Sequence, residues 1–191
     1  MAHITLYELG AANGRRYSQF SWRTRMALAH KNITFDTVAV RVSDKAAIAF
    51  SNQDKVPILK DGDHVVADSW KIAEYLESTY PDRPSLFGGE IGHGLSRFVN
   101  TLADRQLIGK IVPALMLDVT GIVDEEDGAH LRKLEKLFKK TLEEMAAQRE
   151  PAIADFRRAL DPLRATLKAQ PFLCGAKPAY ADYILFSIFQ W

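Results

Sequence analysis

A single cysteine, Cys174, stands among 191 residues. No internal disulfide is therefore possible, and a reducing, cytoplasmic setting is the natural home. Charge of one sign is also lacking. The net formal charge is +1, so the molecule as a whole has no electrostatic call for nucleic acid or an anionic membrane. No stretch of about 18 apolar residues occurs, and no membrane span is expected. Residues 1–10 alternate polar and apolar types and lack the charged-then-apolar order of a signal peptide. The five histidines, His3, His30, His64, His93 and His130, have no metal-ligand spacing, so no metal is expected. The glycines from Gly88 to Gly94 include no Gly-Lys-Ser/Thr and follow no apolar strand, which excludes a phosphate loop. Cys174 has no CxxC partner and no evident base, and reads as a small apolar residue.

What is present is an apolar fraction of 47%, enough for a real core, in a length that fits one large domain or two small ones. His3 to Leu9 alternates, with Ile4 and Leu6 on one side and Thr5 and Tyr7 on the other, and predicts a strand. Gly10 to Gly14 reads as a loop. Ser18 to His30 is helical in texture: Trp22, Met26 and Ala29 share a face, with Arg23 and Arg25 off it. Thr34 to Val42 is rich in β-branched residues and predicts a second strand. Asp44 to Phe50 predicts a short helix. Val56 to Leu59 and His64 to Ala67, joined through Asp61-Gly62, predict a hairpin. Asp68-Ser69 then opens a helix through about Thr79, with Ile72, Tyr75 and Leu76 inward. The order β-α-β-α-β-β-α gives an α/β domain, a mixed sheet with helices on both faces.

Residues 81–94 have a linker composition, with three glycines within Gly88 to Gly92 plus Pro81 and Pro84. Residues 1–80 and 95–191 thus read as two domains, the second all helical. Leu95, Phe98, Val99, Leu102, Ile108, Ile111, Val112 and Leu115 form one apolar face. Leu131, Leu134, Leu137, Phe138, Leu142 and Met145 form another, and Ile153, Phe156, Leu160, Leu163 and Leu167 a third. Tyr183 to Trp191 is almost wholly apolar and predicts a buried helix. No stop signal closes it, so the natural protein is expected to continue beyond Trp191.

Three places can carry chemistry. Val56-Pro57 is either a trans proline at a strand edge or a cis-proline that turns the N–H and C=O of Val56 outward, where an extended peptide-like ligand could pair as an added strand. Asp68-Ser69 is either a plain helix cap worth ~1 kcal/mol or an anion site, in which the first turn and the Ser69 hydroxyl hold a carboxylate while Asp68 pairs with an ammonium. Ser18, before the first helix, is either another cap or a hydroxyl that stabilises a ligand's thiolate at a helix N-terminus. Ser21, one turn on, is the substitute. Tyr7 and Tyr17 rank below both serines, as a strand residue and a loop residue.

Together Ser18, Trp22-Arg23-Thr24, Lys55-Val56-Pro57-Ile58-Leu59 and Asp68-Ser69-Trp70-Lys71-Ile72-Ala73-Glu74-Tyr75-Leu76 resemble the N-terminal domain of glutathione transferases. Phe172-Leu173-Cys174-Gly175 and Ala181-Asp182-Tyr183 resemble the helix-initiating motif of that family's C-terminal domain. Ser18 to Thr24, with Asp68-Ser69-Trp70, looks closest to the branch holding bacterial β-etherases and their fungal relatives. The resemblance implies a thioredoxin-like domain followed by an all-α domain, with glutathione as co-substrate. It implies that Val56 pairs with the cysteinyl unit and that Pro57 is cis. Ser69 would bind the γ-glutamyl carboxylate, with Asp68 near the amine. Lys45 or Lys55 would neutralise the glycyl carboxylate, and Ser18 would donate to the sulfur. A homodimer and a small hydrophobic electrophile as second substrate are implied too, as is glutathione-dependent aryl ether cleavage. The alternative is a member of the same fold that binds glutathione or a hydrophobic ligand without turnover. The second-substrate pocket is expected between the loop from Gly10 to Tyr17 and the helix carrying Ile111, Leu115 and Met116, with Trp191 beside it. Two positions depart from the family pattern. Ala179 stands where a capping Ser or Thr is usual, a loss of ~1 kcal/mol, and Gln19 stands where the nearest branch often has proline. The lack of a cysteine at the first helix sets the chain apart from glutaredoxins and omega-type transferases.

Overall fold

The computed structural model describes all residues except Met1, Ala2 and Ala12. What the sequence implied for those three lies outside the described residues. The chain runs β1 (Ile4–Leu9), α1 (Gln19–His30), β2 (Asp36–Val40), a 3-10 turn (Ala46–Ser51), β3 (Ile58–Asp61), β4 (His64–Ala67) and α2 (Ser69–Thr79). Among the described residues the strands form one mixed sheet in the order β2-β1-β3-β4. β1 and β2 are parallel, while β3 is antiparallel to both β1 and β4. This is the thioredoxin-like arrangement expected, with the second helix reduced to a 3-10 turn. That segment has no side-chain cap, and Asn52 stops it in the left-handed region at φ 54°, so it is too short and too poorly capped for a stable α-turn series. The β3–β4 hairpin turns on Gly62-Asp63, with Asp61 opposite His64. Gly62 supplies the positive φ, 59°, that such a tight loop needs.

The helical half follows as α3 (Glu90–Leu102), a π turn (Ala103–Leu107), α4 (Ile108–Thr120), α5 (Glu125–Leu131), α6 (Leu134–Phe138), α7 (Leu142–Ala147), α8 (Arg149–Ala159), α9 (Asp161–Ala169) and α10 (Tyr180–Ile188). The sequence pattern misplaced one face. Leu95 and Phe98 are 40% and 64% exposed, because α3 turns Ser96, Val99 and Asn100 inward instead. Leu137 is likewise exposed; it lies on a five-residue helix that ends at left-handed Lys139, so no long apolar stripe forms there. No helix among the described residues is long and apolar enough to cross a membrane.

One core joins both halves. Leu6, Leu28, Leu59, Ile72 and Leu76 belong to the same buried cluster as Leu107, Ile111, Phe156, Leu160 and Ile184. Each fully buried side chain of this kind contributes about 1.5–3 kcal/mol. Arg23, expected off the helix face, is buried there. Its guanidinium donates to Asn100 and Asp104, each at 2.9 Å, and stacks over Phe20. Partners on α3 and the π turn are what make that burial affordable. Lys31 is also buried and pairs with Glu77 at 2.9 Å. Ala179 offers no hydroxyl to α10, but Asp182 accepts the N–H groups of Ala179 (3.0 Å) and Leu173 (2.7 Å). The acidic half of a capping box thereby survives.

Candidate functional site

Alternation along β1 buries Glu8 together with Ile4 and Leu6. A buried carboxylate requires partners, and Arg16 (2.9 Å) and Arg25 (2.6 Å) supply them. The Arg16 carbonyl in turn accepts the Trp22 indole N–H at 3.0 Å. Gly10 makes room for this knot: a Cβ there would lie 2.8 Å from that of Ala39 and 2.9 Å from the Arg16 guanidinium. The loop before α1 is therefore pinned to β1 and α1, and it delivers Tyr17 and Ser18 to a cleft of about 350 Å³.

Ser18 caps α1 from an extended backbone (φ −98°, ψ 113°) and its Oγ accepts the Ser21 N–H at 3.3 Å. It lines the cleft, as do Gln19, Phe20, Lys45, Lys55 and Val56 on the sheet side. Ser21 is fully buried, with no hydrogen-bond partner for its hydroxyl among the described residues, and does not line the cleft. The Val56–Pro57 peptide is cis. Neither the N–H nor the C=O of Val56 pairs with another backbone group among the described residues. Lys45 donates to the Asp54 carbonyl at 2.5 Å.

Asp68 caps α2, accepting the N–H groups of Trp70 (3.0 Å) and Lys71 (3.1 Å). It does so at φ 79°, a strained region for a residue with a Cβ. Its own N–H donates to the Pro57 carbonyl at 3.3 Å, which sets α2's first turn beside Val56. Asp68 lines a second recess of about 640 Å³ with Trp70, Arg97 and Asp104, and is not among the residues lining the cleft of Ser18. Ser69 is buried behind it.

The helical wall of the cleft is apolar, formed by Met116, Val119, Leu131, Leu134 and Trp191. Leu115 lines an adjoining recess with Arg15, Arg16 and Trp191, while Ile111 lines neither. At the rim, Arg41 from the end of β2 meets Asp124 (2.8 Å) and Glu126 (2.9 Å) of the α5 start. Ser43 donates from its N–H (2.9 Å) and hydroxyl (2.6 Å) to buried Asp127. His130, also on the cleft, is held below its ordinary pKa by burial and by Lys133 and Lys45, so it is neutral at pH 7. Sequence reasoning missed Arg41 and His130 and set Tyr17 aside. For Glu8 the signal existed, because the same parity that buries Ile4 and Leu6 buries residue 8.

Residues 14–84 match the family model described as glutathione S-transferase, N-terminal domain, and residues 94–191 the corresponding C-terminal domain. A maleylacetoacetate isomerase of Dictyostelium discoideum is 29% identical over 126 residues, 62% of this chain and 55% of that protein. Glutathione S-transferase 1 of Dianthus caryophyllus is 30% identical over 72% of this chain and 69% of its own length. The chain spans about half the length of the first two curated relatives it matches, at 55% and 49%. Among solved structures, a glutathione transferase of Phanerochaete chrysosporium superposes with a TM-score of 0.89 at 26% identity, covering 99% of this chain and 84% of that one. A Ceriporiopsis subvermispora glutathione S-transferase, solved in complex with glutathione, gives 0.84 at 22% identity with the same coverage.

Proposed function

The chain belongs to the glutathione S-transferase family, and on that footing we propose that it joins glutathione to a small hydrophobic electrophile held between its sheet and its helices. The observation that carries the reading is Ser18, a hydroxyl at the N-terminus of α1 on the wall of an apolar cleft that Val56 also lines. The residues fit a tripeptide thiol. Val56 offers unpaired peptide groups for an extended backbone. The first turn of α2 and the Ser69 hydroxyl suit a carboxylate, with Asp68 near an amine. Lys45 or Lys55 suits the opposite carboxylate, and Lys55 is the one not engaged with Asp54. Glutathione supplies the thiolate nucleophile. Ser18 donates toward the sulfur and, with the helix terminus behind it, favours thiolate over thiol. Met116, Val119, Leu134 and Trp191 hold the electrophile close and dry.

The test is mass spectrometry of products from glutathione incubated with aryl halides, epoxides, aryl ethers and maleylacetoacetate. Aryl ether cleavage, the etherase-like version, and isomerisation, suggested by the isomerase names among the relatives, are narrower forms of the same thiolate chemistry. Adducts that form with the native chain and fade in Ser18→Ala support the reading. Retention on immobilised glutathione with no product from any compound supports the second reading, a binder without turnover. As a helix cap Ser18 Oγ only accepts, from the Ser21 N–H, so its own O–H stays free to donate to a sulfur. A cytoplasmic homodimer belongs to the same proposal. Exposed Ile91, Leu95 and Phe98, spaced along one side of α3, suit a self-association face, and light scattering reads the mass.

A further inference from the structure

Arg15 stands exposed in the loop before α1, and its guanidinium has no ion pair or hydrogen bond among the described residues. Its backbone is engaged: the N–H donates to the Asn13 side chain at 3.1 Å and the C=O accepts from Ala11 at 2.9 Å. The base of the side chain is thus held while its charged end is unused. Arg15 lines a recess of about 330 Å³ together with Leu115, Ile122 and Trp191. Val119 and Trp191 line both this recess and the cleft of Ser18, so the two spaces share an apolar wall. The other charges there are taken. Asp118 pairs with Arg149 at 2.8 Å. Arg16 pairs with Glu8 at 2.9 Å, and Arg25 shares that carboxylate, which leaves the knot with a surplus positive charge. The apolar cleft therefore borders a recess of net positive charge.

We propose that Arg15 is a specificity residue that pairs with a carboxylate on the second substrate, selecting aryl electrophiles that carry an anionic group across the ring from the reacting carbon. The proposal rests on the transferase reading above and names its substrate class. A guanidinium grips a carboxylate through two parallel N–H···O bonds, which a neutral amide in the same place does not reproduce. With 4-chloro-3-nitrobenzoate as the electrophile, the glutathione sulfur forms a bond to the carbon bearing chlorine. The carbon–chlorine bond breaks, chloride leaves with the electron pair, and the thiol proton passes to solvent. The carboxylate, para to that carbon, is unchanged and faces Arg15 while the ring lies against Val119 and Trp191. The contact is made equally before and during reaction, so it acts on KM more than on kcat.

Two measurements test this. In glutathione conjugation, Arg15→Gln should lower kcat/KM for 4-chloro-3-nitrobenzoate roughly 5-fold more than for 4-chloro-3-nitrobenzamide, the modest size reflecting an exposed pair. Arg15→Lys should recover part of the difference. Equal changes for both compounds, or no change for either, overturn the proposal. The second measurement needs no turnover. Calorimetric titration of the unsubstituted chain with 3-nitrobenzoate and with 3-nitrobenzamide should show tighter binding of the carboxylate, with the preference shrinking as sodium chloride is added. Arg15→Gln should abolish the preference. Equal affinities in the unsubstituted chain, or a preference that survives Arg15→Gln, overturn the proposal even if conjugation is found. A carboxylate preference that depends on Arg15 without any conjugation upholds the anion subsite and sinks the transferase reading instead.

Discussion

The Tyr180 hydroxyl donates to the Ser69 carbonyl at 2.7 Å, tying the first turn of the last helix to the first turn of α2. Tyr180 is fully buried, and its own N–H reaches the Leu86 carbonyl at 2.8 Å. The helical half thus holds the first turn of α2 in register. Tyr180→Phe should cost about 1 kcal/mol of stability and raise the glutathione KM several-fold, with little change in kcat. Thermal melts and steady-state kinetics read the two effects separately.

The two serines at α1 should behave in opposite ways. Ser18→Ala removes a cap worth ~1 kcal/mol and should slow conjugation by roughly 100-fold. Ser21→Ala removes a buried hydroxyl that has no partner among the described residues. It should leave the rate unchanged and stability equal or slightly higher. Denaturant titration with parallel rate measurements distinguishes them.

Glu8 fixes the loop that carries Tyr17 and Ser18. Glu8→Gln leaves Arg16 and Arg25 short of their shared carboxylate, and breaking a buried pair of this kind costs about 3 kcal/mol. The expected result is a lower melting temperature together with a lower kcat, because the loop loses its anchor on β1. Gly10→Ala should resemble it, since the added methyl group meets Ala39 and the Arg16 guanidinium.

Stability should fall at both ends of the pH scale. Burial alone would raise the Glu77 pKa, but the Ser85 hydroxyl, the Leu86 N–H and the Lys31 ammonium outweigh it and hold the group below its ordinary 4.5. A depressed carboxyl stabilises the fold above its unfolded pKa and loses that contribution as pH falls through the folded value. Glu77→Gln should therefore flatten the acid limb of the stability curve. The Tyr17 phenol is raised from 10.0 to about 12, and Tyr75 and Tyr183 are raised as well, chiefly by burial. The unfolded chain then ionises first, so stability is full below pH 10 and declines from there toward 12. Calorimetric melting points between pH 3 and 12 check both limbs.

Local signals carried far into this fold. Ser18 and Asp68 announced α1 and α2 because capping chemistry is written in single residues, and the alternation of β1 announced its buried face. Less legible was what depends on packing between distant segments. Arg23 looked like a solvent residue until Asn100 and Asp104 came to meet it. Leu95 and Phe98 looked inward because apolar spacing cannot tell which side of a helix the rest of the chain will occupy. Tyr17 had no distinguishing neighbours in sequence; its isolation is produced by α4 and α7 closing over it. Asp68 and Val56 were read as holding different parts of one ligand; a backbone bond joins their segments, while Asp68 lines a recess that Val56 does not.

The contact of Arg41 with Asp124 and Glu126 is a clasp drawn across the mouth of the cleft, and each of its charges remains within reach of water. Dissolved ions compete for such charges within about 10 Å at 0.1 M ionic strength. In brine these surface charges are screened, and the strand end is then held to α5 chiefly by the hydrogen bonds from Ser43 to buried Asp127, which dissolved ions reach poorly.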